Sequence, residues 1–261
     1  MAILLRALLS ILMLAAGTAQ AGTACVDRPL TVDNFTRAMA LAERAQTALD
    51  RAGAQVALIA RAGQDLSKYG LRYSHMAYAV RVDGNWVVLH ELNDCGTAAS
   101  SLFDEGLGRF FLDGMVAWQS RIVVPSPPVQ ARLAAMLGSN TPLRLHQARY
   151  NMLSYPFSTS YQNSNQWVLE TLAVALSDSA QAGREEAQAW LKFAGYRPIT
   201  VEIDAMTRLG ARITRANIAF DDQPFERRMA GHIDTVTVES VFRFVRMRDG
   251  QSSVVDVALS E

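Results

Sequence analysis

The chain has 261 residues, half of them hydrophobic and 19% charged, with 25 basic against 25 acidic side chains. The apolar content excludes wholesale disorder, and no block of like charge exists to hold a nucleic acid backbone by counterion release. A chain of this length buries roughly 70 to 75% of its unfolded surface, so it needs neither a disulfide scaffold nor a structural metal.

In chain order, the first feature is a leader. Arg6 is the only charged residue before the apolar run Ala7 to Ala16, which is too short to span a bilayer, and Ala19-Gln20-Ala21 is a small-x-small cleavage site. A signal peptide over residues 1–21, cut after Ala21, is expected, with an uncleaved membrane anchor as the alternative. Removing 21 of 261 residues leaves 240, with 24 basic and 25 acidic side chains because only Arg6 is lost. The expected location is periplasmic or secreted, with no transmembrane segment after processing. In an oxidising compartment Cys25 and Cys95, the only two thiols, would form a disulfide closing a loop of about 70 residues. The rival readings keep Cys95 as an inert thiol or as a nucleophile five residues after His90.

The mature chain opens on a helix capped by Thr31 or Asp33, carrying Phe35, Met39, Ala42, Ala45 and Leu49 at helical spacing and ending at Gly53. A strand is expected over Gln55 to Arg61. Two β-rich runs follow a Gly63 to Gly70 loop, Ser74 to Val82 and Asn85 to Leu92, and Asp83-Gly84 between them signals a hairpin. Beyond it Leu102 to Leu112 reads as a short helix, Val116 to Val124 as a strand, and Pro127 to Leu137 as a helix with proline in its first turn and Gly138 as its stop. The aromatic, polar stretch Tyr155 to Asn165 leads directly into the apolar helix around Trp167, Val168, Leu169 and Leu172. Another helix covers Arg184 to Ala194, and the tail from Thr235 to Val257, broken at Asp249-Gly250, reads as β-rich. This divides the chain into a leader (1–21), an α+β domain (22–195) and a C-terminal β-rich extension or small lobe (196–261).

No phosphate-binding loop, dinucleotide glycine fingerprint, G-x-S-x-G elbow or H-E-x-x-H motif occurs. The four histidines are scattered without an i, i+4 pair, so no metal ligand set and no cofactor are expected. Two of them fall on the hairpin. A two-residue turn at Asp83-Gly84 makes facing residues sum to 167, so His90 faces Ala77, and His75 becomes its diagonal neighbour on the same face. That juxtaposition is either a base with an orienting partner or two unrelated histidines on a half-buried sheet. Ser164 stands at a loop-to-helix junction, where backbone N–H groups and the helix dipole stabilise a developing anion. Its plain alternative is a capping hydroxyl.

The strand Ser74-His75-Met76-Ala77-Tyr78, the second strand ending Val87-Val88-Leu89-His90, and the aromatic loop running into Asn163-Ser164-Asn165-Gln166-Trp167-Val168 resemble, in that order, the circularly permuted branch of the NlpC-type papain-like superfamily. The lecithin retinol acyltransferase-like proteins belong to that branch. From the hairpin to Trp190 the chain is more similar to an uncharacterised family of exported proteobacterial proteins, the domain of unknown function numbered 2145. The resemblance covers roughly Tyr69 to Gly195. It implies a permuted papain-like antiparallel sheet with packed helices, and a site in which Ser164 is the nucleophile, His75 the base and His90 its orienter. Serine stands at 164 where the superfamily has cysteine, so His75 must remove a proton during attack rather than hold a preformed thiolate. Two functions follow. One is a cell-envelope hydrolase or acyltransferase acting on an amide or ester. The other is an inactive relative that binds a peptide, peptidoglycan or lipid ligand in a cleft lined by Tyr155, Phe157, Tyr161 and Trp167. Arg227, Arg228 and the arginines of 243–248 read as solvated faces.

Overall fold

The computed structural model describes residues 29–177, 179 and 181–260. The expected leader and Cys25 lie outside these residues. Cys95, in the turn after the second hairpin strand, is not a free thiol. Among the described residues no helix is long and apolar enough to cross a membrane.

Helix α1 (Val32–Arg51) starts where Thr31 Oγ1 accepts the Asn34 N–H at 3.1 Å. It buries Ala38, Leu41, Ala42, Ala45 and Leu49, while Phe35 stays exposed. Strands β1 (Val56–Ala62), β2 (His75–Val82) and β3 (Asn85–Asn93) form an antiparallel meander. The β2–β3 turn has Asp83 at φ 48° and Gly84 at φ 82°, the left-handed pair that a two-residue hairpin of type I′ requires. Val82 faces Asn85 and Tyr78 faces Leu89, which is the register expected from the turn.

The expected helix over Leu102 to Leu112 is only half realised. Residues 100–106 form strand β4 (Ser100–Gly106), paired with β3 along its length, and helix α2 occupies Leu107–Leu112. The free edge of β3 offers a row of backbone groups to pair, and that tertiary gain outweighs weak local preference. Strand β5 (Ala117–Val124) pairs on the other side of β1, and helix α3 (Pro127–Leu137) ends at Gly138 as expected, followed by the short α4 (Thr141–Leu145).

Helix α5 (Ser164–Ser177) is the central element. Every residue from Ser164 to Ala175 is buried, so it is a core helix covered nearly all round rather than one with a solvent-facing side. Helix α6 (Arg184–Phe193) follows, then β6 (Ile199–Glu202), α7 (Ala205–Thr214), α8 (Phe225–Met229) and β7 (His232–Thr235), with β6 and β7 forming a separate two-stranded sheet. The tail then departs from its β-rich expectation, because Val238–Arg248 is a helix, α9, capped by Thr237. Its buried Val238, Val241, Phe242 and Val245 lie at helical, not alternating, spacing. Strand β8 (Ser253–Ala258) returns to the main sheet and pairs with β5.

The protein is therefore mixed α+β, with a six-stranded antiparallel sheet in the order β4-β3-β2-β1-β5-β8 and nine α-helices among the described residues. Strand alternation divides its two faces. Ala57, Ile59, Ala77, Ala79 and Val88 face α1 and α2. Leu58, Ala60, Met76, Tyr78 and Val80 face α5 and, around it, α3, α6 and α9.

Candidate active site

The hairpin register carries its expected consequence. His75 Nε2 and His90 Nδ1 are hydrogen-bonded at 2.9 Å, His90 is fully buried, and Phe110 of α2 packs against both rings. The pair lies on the α1/α2 face of the sheet, with the small Ala77 and Ala79 beside it. Arg61, directly across from His75 on β1, is also buried. Its guanidinium is held by the Phe110 carbonyl and the Asp113 carboxylate, and its centre lies 4.8 Å from the Phe110 ring centroid. Burial, and then the Arg61 charge and His90, hold His75 well below the usual imidazole range. His75 is thus neutral near pH 7. With Nε2 committed to His90, Nδ1 is the nitrogen left for chemistry.

Ser164 reaches the site from the other face. Asn163 caps α5, its Oδ1 accepting the Gln166 N–H at 2.9 Å, so Ser164 is the first helical residue and its hydroxyl is not the cap. Asn165 Nδ2 donates to the Ser74 carbonyl at 3.3 Å, which ties the helix start to the residue preceding His75. Ser164 lies beside the Tyr150 phenol, and its hydroxyl and backbone N–H favour the ionised form of that phenol. Burial, with the nearby Glu91 charge, pushes the Tyr150 phenol up to about 12, and the Ser164 hydrogen bonds oppose that rise. A phenol therefore stands beside the N–H of a first-turn residue, the kind of donor that receives a substrate oxygen in acyl transfer.

The two arms meet in a cavity of about 580 Å³ at the ends of the strands, lined by both His75 and Ser164. Its polar end also carries Arg61, Ser74, Asn163 and Asn165, and its far wall is apolar, built from Val201, Ile203, Ala211, Ile218 and Phe220. Two polar atoms at this end are buried without a hydrogen-bond partner, the donor Arg61 Nε and the acceptor Asn165 Oδ1. Among the described residues no group of three or more His, Cys, Asp or Glu side chains is placed to hold a metal ion.

The aromatic cleft expected from the loop does not form this cavity. Trp167 is core, its Nε1 donating to the Pro142 carbonyl, and Tyr161 is tied to Asp221. Tyr155 and Phe157 border a separate surface hollow instead. Trp167, three positions past Ser164, packs into the core cluster rather than into the cavity. Arg227 likewise is no bare solvated face, since its half-exposed side chain pairs with the buried Asp234 of β7 at 2.5 Å.

Behind the site runs a polar core. Glu170, fully buried on α5, accepts from Arg184 Nε at 2.7 Å and Nη2 at 3.1 Å, and from the amides of Gln162, Gln166 and Gln188. Arg184 also donates to the carbonyls of Thr159 and Tyr161, fixing the loop that delivers Ser164. Sequence reading missed Tyr150, Arg61, Glu91 and Glu170. Tyr150 reaches Ser164 through a bridge between the Tyr150 and Gln162 backbones, a pairing with no local pattern to announce it.

A family model described as an uncharacterized protein conserved in bacteria (DUF2145) matches residues 48–245. No curated protein matches. Among solved structures, a metalloprotein, yiiX from Escherichia coli O157:H7, described with DUF1105, is 13% identical, with 77% of this chain and 96% of that one covered at a TM-score of 0.44.

Proposed function

The chain belongs to the bacterial family DUF2145, and we propose that it is a cell-envelope hydrolase or acyltransferase of permuted papain-like fold acting on an amide or ester. The observation that carries this reading is one cavity holding both a neutral, anchored His75 and a serine at a helix start. In the proposed reaction the Ser164 oxygen bonds to the substrate carbonyl carbon while His75 Nδ1 takes the hydroxyl proton. The oxyanion falls to the Ser164 N–H, with the Tyr150 hydroxyl turning to donate. His75 then passes its proton to the leaving amine or alcohol, and water or an acceptor alcohol releases the acyl group by the reverse sequence. The polar end and the apolar far wall suit a substrate with an ester or amide at one end and an apolar chain behind it.

Serine in place of cysteine, with the Tyr150 phenol beside it, favours the second reading, an inactive binding protein. One labelling experiment separates them. A serine-directed phosphonate is expected to label the wild type, and His75→Ala is expected to abolish labelling. In Ser164→Cys, the helix N-terminus is expected to lower the thiol pKa and the neutral His75 to take the thiol proton during attack, giving alkylation near pH 7 faster than that of a free cysteine. A wild type that stays unlabelled, with a variant thiol no faster than free cysteine, would leave the binding reading standing alone.

Export belongs to the same proposal. Mass analysis of the purified envelope fraction is expected to give Gly22 as the first residue and a mass two protons below the reduced form, as cleavage after Ala21 and a Cys25–Cys95 bridge require. An intact Met1 would make the protein membrane-anchored.

A further inference from the structure

The histidine pair does not end at His90. His90 Nε2 lies 3.3 Å from Glu105 Oε1 on β4. Glu105 faces Val88 and His90 faces Phe103 in the β3–β4 register, so the carboxylate is the diagonal neighbour of the ring on one sheet face. The Glu105 side chain is 16% exposed and its other oxygen is 3.7 Å from Arg109 Nε. His90 Nε2 has no aligned hydrogen-bond partner. Glu105 is thus its near acceptor, off the hydrogen-bond axis, and such contacts can tighten in occupied sites.

This carboxylate decides a question the pair leaves open. A neutral imidazole carries one N–H, so the 2.9 Å contact between His75 Nε2 and His90 Nδ1 has two polarities. If His90 Nδ1 donates, His75 carries its own proton on Nδ1 and presents a donor to the cavity. If His75 Nε2 donates, Nδ1 presents a lone pair. An acceptor at the far end of His90 keeps the His90 proton on Nε2, makes its Nδ1 the acceptor, and so makes His75 Nδ1 the base.

We infer that Glu105 is a positioning residue that sets the proton polarity of the His75–His90 pair. The inference rests on the catalytic reading of His75 for its purpose, but its test needs no substrate. In histidine-labelled protein near neutral pH, nitrogen shifts are expected to show both Nε2 atoms protonated and both Nδ1 atoms bare. Glu105→Leu is expected to move the His90 proton to Nδ1 in a substantial fraction of molecules. Glu105→Gln, whose carbonyl oxygen still accepts, is expected to keep the wild-type pattern. In the Ser164→Cys background, Glu105→Leu is expected to slow alkylation at pH 7 by roughly tenfold or more, because the wrong tautomer lacks a base, with Glu105→Gln restoring the rate. Wild-type His90 protonated on Nδ1, or a tautomer unchanged in Glu105→Leu, overturns the inference. Should Glu105→Leu fail to fold, the wild-type tautomers and Glu105→Gln still decide it. An unlabelled Ser164 with the expected tautomers sinks the hydrolase and leaves the role of Glu105 in place.

Discussion

Glu91→Gln is expected to remove most of the alkaline loss of stability that the wild-type protein shows between about pH 4.5 and 8. Glu91 on β3 is fully buried on the α5 face, and burial raises its carboxyl from 4.5 to about 8. Around it, the Glu170 charge raises it further, while Ser100 and Arg184 lower it. Ser100 is a weak counterweight. Its hydroxyl is engaged with His146 Nε2 at 3.0 Å and the Gln147 carbonyl at 3.4 Å, and neither Glu91 oxygen has an aligned partner. In the pH window between the two values the unfolded chain is ionised at this position and the folded chain holds the proton. The favourable contribution is therefore fully present below about 4.5 and is lost as pH rises through about 8. A shift of that size corresponds to on the order of 5 kcal/mol across the window. Asp222, raised to about 6 by burial, slopes the same way over its own range, so the comparison of wild type with Glu91→Gln isolates Glu91. Urea unfolding at pH 5 and pH 9 measures it, and parallel pH curves for the two proteins would contradict the assignment.

Arg184→Met is expected to cost about 3 to 5 kcal/mol, the penalty for leaving a buried carboxylate without its cation. Glu170 retains three amide donors, which hold the lower end of that range. Pairing it with Glu170→Gln is expected to recover most of the loss, because no charge then stays buried. Arg184 also anchors the Thr159 and Tyr161 carbonyls, so the single variant is expected to lose ordered structure first in the loop before Ser164, seen as faster amide exchange there than in the β1–β2 core. A cost under about 1 kcal/mol, or a double variant no better than the single one, would refute this account of the network.

What the sequence determined by itself was the part written in short-range terms. Asp83-Gly84 set the hairpin register, and through strand alternation it put His75 and His90 on one face within hydrogen-bond reach. Thr31 and Gly138 marked helix ends because capping and chain reversal depend on residues a few positions away. The loop-to-helix junction at Ser164 was legible for the same reason, although the cap proved to be Asn163. Tertiary structure decided the rest. Ser100–Gly106 is a strand because β3 offers an edge, and Val238–Arg248 is a helix because its apolar residues pack at helical spacing in the core beside α5. Arg61, Tyr150 and Glu105 joined the site only when the sheet, the loop and the helix start were brought together, since their partners lie 14 or more residues away in the chain. Such contacts are fixed by burial, charge neutralisation and hydrogen-bond satisfaction over the folded whole, and no local periodicity records them.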